Sequence, residues 1–84
     1  MELYYFDLTD NGTAYLDTEG TDLPSLESAE DEASKALLEI ARGRMPDGTF
    51  REVALHVHAG TSEPLFVVKL TFELVRNRSA RRAA

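Results

Sequence analysis

"LYYFDLTDNGTAY", residues 3–15, is the stretch on which the fold turns. Aromatic and aliphatic residues crowd its first half, which suits a half-buried pleated surface. Asn11-Gly12 then supplies the two positive-φ positions of a type I′ turn, so the stretch predicts a β-hairpin. With these two as the loop, Asp10 faces Thr13, Leu8 faces Tyr15 and Phe6 faces Asp17. Facing residues share a side of the sheet. Tyr4, Phe6, Leu8 and Tyr15 then point one way, and Leu3, Tyr5, Ala14 and Leu16 the other.

Working outward, "DTEGTDLP" (Asp17–Pro24) reads as a loop pivoting at Gly20. Ser25 is placed to cap a helix, because its hydroxyl can accept from the free N–H groups of the first turn. Glu27, Glu30, Asp31 and Glu32 follow, and carboxylates early in a helix favour its positive end. Leu26, Ala29, Ala33, Ala36, Leu37, Ile40 and Ala41 recur at three-and-four spacing, which makes one buried, alanine-rich stripe. Gly43 is the expected stop, with Arg42 and Arg44 near the negative end and Pro46 blocking continuation.

Asp47-Gly48 is a turn. From Phe50 to His58 the residues alternate: Val53, Leu55 and Val57 face one way, Ala54, His56 and His58 the other. Gly60–Pro64 forms a hairpin loop. Leu65 to Val75, "LFVVKLTFELV", is the most apolar strand, with Phe66, Val68, Leu70, Phe72 and Leu74 on one face. The fold class is therefore α+β in the order β-β-α-β-β, one helix packed on one face of a four-stranded, mainly antiparallel sheet. The first and fourth strands, being the most apolar, are the expected central pair. Residues 1–75 form a single domain, and 76–84, "RNRSARRAA", a disordered basic tail.

Length and composition narrow the function. With 84 residues the chain makes one thin-cored domain. It has no cysteine, which excludes disulfides, thiolate zinc sites and a cysteine nucleophile. It has no apolar run long enough for a transmembrane helix and no signal-peptide pattern at its start, so a cytoplasmic location is expected. The formal net charge is −6, and all 15 acidic residues precede Arg76. Such an acidic body repels phosphate backbones. Four of the nine basic residues, Arg76, Arg78, Arg81 and Arg82, fall in the tail and are the available nucleic-acid contacts.

"YYFDL" at Tyr4–Leu8, "D-x-E-G-x-D-L-P" at Asp17–Pro24, "L-E-x-A-x-x-E-A" at Leu26–Ala33 and "L-T-F-E" at Leu70–Glu73 together resemble a family of short bacterial proteins defined only as a domain of unknown function. The resemblance covers roughly residues 3–75 and implies a fold but no catalytic residues. A weaker similarity runs to HicB-like antitoxin domains, echoed by Asp10, Gly12, Asp22-Leu23-Pro24 and Glu32-Ala33. Those folds place three strands before the helix, where this sequence shows two.

His56 and His58, the only histidines, share one strand face and could hold one metal ion. Zinc would need a third protein ligand, for which Glu52 and Glu73 are the candidates. Two outward histidines on the wet side of a sheet explain the pair more simply. The acidic loop 17–22 lacks calcium-loop spacing, and its Asp and Gly residues suit turns. The helical carboxylates lie on a solvated side. No phosphate-binding loop, nucleophile elbow or cofactor motif occurs, so neither an enzyme nor a cofactor is expected. The sheet side away from the helix gathers Leu3, Tyr5, Leu16, His56, His58, Leu65, Val67 and Val75, more apolar surface than a small monomer normally exposes. The expected role is a noncatalytic protein–protein interaction or homo-oligomeric module in the bacterial cytoplasm. The alternatives are an antitoxin-like or nucleic-acid-associated accessory protein and, third, a metal-binding domain.

Overall fold

A computed structural model describes residues 1–44, 48–61 and 63–77. The elements are β1 (Glu2–Asp10), β2 (Thr13–Tyr15), β3 (Thr21–Leu23), α1 (Leu26–Arg44), β4 (Phe50–His58) and β5 (Phe66–Glu73). The sheet is antiparallel throughout, in the order β2-β1-β4-β5, with β3 pairing the first half of β1. The α+β class and the strand-strand-helix-strand-strand order hold, with β3 as one added short strand.

The hairpin forms as its turn residues dictate. Asn11 and Gly12 sit at φ 48° and 91°, and Leu8 faces Tyr15, Thr9 Ala14 and Asp10 Thr13. Asn11 also continues the β1–β4 ladder past the strand's end. Its N–H donates to the Glu52 carbonyl at 2.8 Å, and its Oδ1 accepts from the Glu52 N–H at 2.7 Å. The side chain stands in for a backbone carbonyl that the turn has rotated away.

The Ser25 hydroxyl caps α1, accepting from the Ser28 N–H at 3.1 Å. The helix buries Ala29, Ala33, Leu37 and Ala41 against Tyr4, Val53, Leu55 and Val57. Three of the four helical contacts are alanines, so α1 lies close over β4 and β5. Leu26 stays largely exposed, and the last turn runs through Gly43 to Arg44 instead of stopping at the glycine.

Two expectations are corrected. The central strands are β1 and β4, and the strongly apolar β5 is an edge. Apolar content misleads here because centrality depends on neighbours. The local hairpins give β1 its neighbour β2 and β4 its neighbour β5, leaving β1 and β4 to join each other. β5 alternates half-buried and exposed along its whole length, one face under α1 and the other open. The other correction is that Thr21–Leu23, read as loop, returns to pair with Glu2–Tyr4.

One buried charge ties the assembly together. Asp10 ends β1 on the helix side and is 5% exposed. Arg51 at the start of β4 donates to it through Nε at 3.0 Å and Nη2 at 2.9 Å, and Arg44 in the last turn of α1 donates through Nη1. The Arg51 hydrogen bonds hold the Asp10 carboxyl below the ordinary carboxylate range, outweighing the opposing effect of burial, and Arg44 adds to them. Arg44 also lies over the Tyr15 ring, 5.6 Å from its centroid.

A folded-state pKa below the unfolded value of ~3.9 gives stabilisation that is complete above that value and is lost as pH falls through the folded one. Asp10→Asn is expected to destabilise the fold by about 2–4 kcal/mol at neutral pH, because it removes the buried carboxylate charge that accepts from both Arg44 and Arg51. Urea unfolding checks this. The gap between variant and native chain should narrow below about pH 4, and an equal midpoint at neutral pH would contradict it.

Candidate interaction face

The sheet side away from α1 is organised by the β1–β4 register, in which Tyr5 faces His58, Asp7 faces His56 and Thr9 faces Ala54. Strand alternation therefore puts Leu3, Tyr5, Asp7, Thr9, His56, His58, Val67 and Lys69 on one surface. His56 and His58 do point outward, but each reaches diagonally to β1. The Nε2 of His56 lies 3.2 Å from the Thr9 hydroxyl. His58 Nε2 lies 3.0 Å from Asp7 Oδ2, its ring stacks on Tyr5 with centroids 5.2 Å apart, and its Nδ1 accepts from the Gly60 N–H at 3.1 Å.

These contacts select one form of His58. Nδ1 accepts a backbone N–H, so the ring proton sits on Nε2 and is donated to Asp7. Both nitrogens are then engaged, and neither offers a lone pair to a substrate.

The β2–β3 connection folds over the same end of the surface. Asp7 Oδ1 accepts from the Asp17 N–H at 2.9 Å. The Asp17 carboxylate in turn accepts from the N–H groups of Phe6 at 3.0 Å and of Glu19 and Gly20 at 3.1 Å. Partial burial pushes the Asp17 pKa up, but these three backbone donors more than offset it, and the carboxyl lies below its usual range. Asp17 thus faces Phe6 as the hairpin register anticipates, filling with a side chain the gap between β2 and β3. Gly20, at φ 76°, presses on Leu3 and Tyr5 so closely that a Cβ would come within 3.0 Å of Leu3 and 3.1 Å of Tyr5. The Leu3–Tyr5–His58 end is therefore partly covered.

The apolar exposure lies elsewhere. Leu65 and Val67 are 51% and 42% exposed, and Leu74 and Val75 are 47% and 77%. Leu65 and Val75 flank β5, and Leu16 is exposed beyond the end of β2. Glu52 sits beside Lys69, 3.9 Å away, and Glu73 faces Phe50, so neither joins the histidines. Among the described residues no three His, Cys, Asp or Glu side chains converge as a metal-ligand group. Arg76 is exposed, while Arg78, Arg81 and Arg82 lie outside the described residues. No helix of the described residues is long and apolar enough to cross a membrane.

Asp7 and Thr9 are not among the site residues expected from the sequence, and Asp17 is expected only as a turn residue opposite Phe6. Their signal was present, since Tyr5, Asp7 and Thr9 alternate on one strand, but it becomes legible only once β1 is placed against β4.

One helix over an antiparallel sheet, with a polar lock on the opposite side, defines a small α+β domain. The chain belongs to the family described as a domain of unknown function, DUF6894, whose model matches residues 3–71. No curated protein and no solved structure matches it significantly. β3 supplies a third strand ahead of the helix, yet these comparisons lend no support to a HicB-like relationship.

Two outcomes follow from the lock. Nitrogen-detected NMR should find the Nε2-protonated tautomer of His58, with Nδ1 as acceptor, and the Nδ1-protonated tautomer instead would break the Gly60 contact. Asp17→Ala, which strips three backbone donors of their acceptor at a partly solvated site, is expected to cost about 1–2 kcal/mol in urea unfolding. An unchanged midpoint would show that the connection contributes nothing.

Proposed function

We propose that this chain is a noncatalytic association module that works by joining to another folded chain, in the first place its own. The carrying observation is the outer side of β5. Among the described residues no strand pairs with it, and the exposed apolar residues Leu65, Val67, Leu74 and Val75 lie on or beside it. An unpaired edge presents a row of N–H and C=O groups that favours strand addition. A small domain with a thin core also gains burial by associating.

The engaged nitrogens of His58 weigh against acid–base catalysis, because proton transfer needs an available lone pair. A nucleic-acid role has its footing in Arg76, Arg78, Arg81 and Arg82, and the acidic body opposes it. Sedimentation velocity across micromolar to submillimolar concentrations tests the proposal. A reversible dimer or higher oligomer is expected, and a strict monomer throughout that range would overturn self-association.

A further inference from the structure

The edge of β5 carries more information than its mere availability. The Leu74 N–H donates to the Thr49 carbonyl at 2.7 Å, in step with the register that pairs Phe72 with Arg51 and Leu70 with Val53. Antiparallel ladders alternate the direction of their backbone groups residue by residue. The even-numbered residues of β5 therefore turn their N–H and C=O groups inward to β4. Val67, Lys69, Thr71 and Glu73 turn theirs outward, where among the described residues no strand meets them.

We propose that β5 pairs antiparallel with β5 of a second copy of this chain, about a two-fold axis at Thr71, with Lys69 of each copy facing Glu73 of the partner subunit. This rests on the association reading above and deepens it by naming partner, element and register.

Three features favour this arrangement. The first is charge. A two-fold at Lys69 would set two lysines opposite each other, and one at Glu73 two glutamates, both unfavourable across a strand pair. A two-fold at Leu70 or Phe72 pairs Lys69 with Thr71 or Val75 and leaves the charges unmatched. At Thr71, both Lys69–Glu73 pairs form at once. A charge in mid-edge normally discourages strand addition. Here the lysine rejects wrong registers and is satisfied in one.

The second feature is the backbone. A two-fold at Thr71 sets 69 against 73 and 71 against 71, all positions whose groups within β5 point outward, so a regular hydrogen-bonded ladder results, with 67 opposite 75 just past the end of the strand. The third is apolar matching. Val67 meets Val75 on the open side, while Leu70 meets Phe72 and Val68 meets Leu74 on the helix side. Beside that last row lies a groove of about 290 Å³ between α1 and β5, lined by Ser34, Leu37, Leu38, Val68, Lys69 and Leu70. Leu38 is 61% exposed at its rim, and the two-fold brings the partner's helix to the same side of the extended sheet.

The experiment is a charge exchange read by sedimentation equilibrium on the full chain. K69E and E73K are each expected to weaken the dimer about tenfold or more, since each places two like-charged pairs across the axis. Mixing the two variants restores opposite charges at both positions and should return a heterodimer of near-native affinity. Lys69 also neighbours Glu52, so E73K is the cleaner single change, and circular dichroism confirms that each variant is folded.

A second measurement uses the absence of cysteine. Thr71→Cys should form a disulfide-linked dimer on mild oxidation, because facing residues of a hydrogen-bonded pair lie about 5.5 Å apart at Cα. Val67→Cys should not link to itself. A native dimer in which mixing restores nothing and Thr71→Cys does not cross-link overturns the β5 register and leaves self-association standing. A native chain that stays monomeric overturns both.

Discussion

The carboxylate of Asp10 is the constraint around which the rest of the molecule is arranged. A charge this deeply buried is tolerated only when its oxygens are filled by donors, and here they come from two different elements. Arg51 brings the start of β4 against the end of β1. Arg44 draws in the last turn of α1, which explains why the helix continues through Gly43 rather than stopping there. Once β1 and β4 are joined at this point, the Asn11–Glu52 hydrogen bonds extend their ladder into the hairpin turn. The side of the sheet that receives the helix is settled at the same time, because Asp10 shares its face with Tyr4, Phe6 and Leu8.

A similar logic, with backbone donors in place of arginines, shapes the opposite side. β1 has two short neighbours on one edge, β2 at its end and β3 at its start, and between them the Phe6 N–H would lack a strand partner. Asp17 supplies the missing acceptor and, through its own N–H, fixes Asp7, which in turn holds His58. His58 thereby becomes part of a polar lock beside a folded-over connection, while His56 is held separately by Thr9. Polar satisfaction accumulates at the β1 side of the sheet, while β5 carries exposed apolar residues and an outer edge that no described strand pairs.

Much of this architecture was legible in the chain. Asn11-Gly12 specifies a turn whose strand register follows arithmetically, Ser25 and the alanine stripe specify a capped helix lying close to a sheet, and the alternation of Val53, Leu55 and Val57 predicts the face they bury. These are local signals, carried by residues within a few positions of one another, and local sterics and periodicity suffice to express them. The candidate site was legible only in outline. His56 and His58 could be placed on the side away from the helix, but not given partners.

What the tertiary structure alone decided is adjacency between distant segments. Nothing in the sequence sets β1 beside β4, so the sequence could not show that Asp7 meets His58 across 51 positions or that Asp10 meets Arg51 across 41. Nor could hydrophobic content distinguish the buried centre from the edge, since β5 is as apolar as any strand and still lies outermost. Strand order depends on which backbone edges remain unpaired after the local hairpins form and on where buried charges find donors. Both are properties of the assembled sheet, and in this protein they determine which surface is left open.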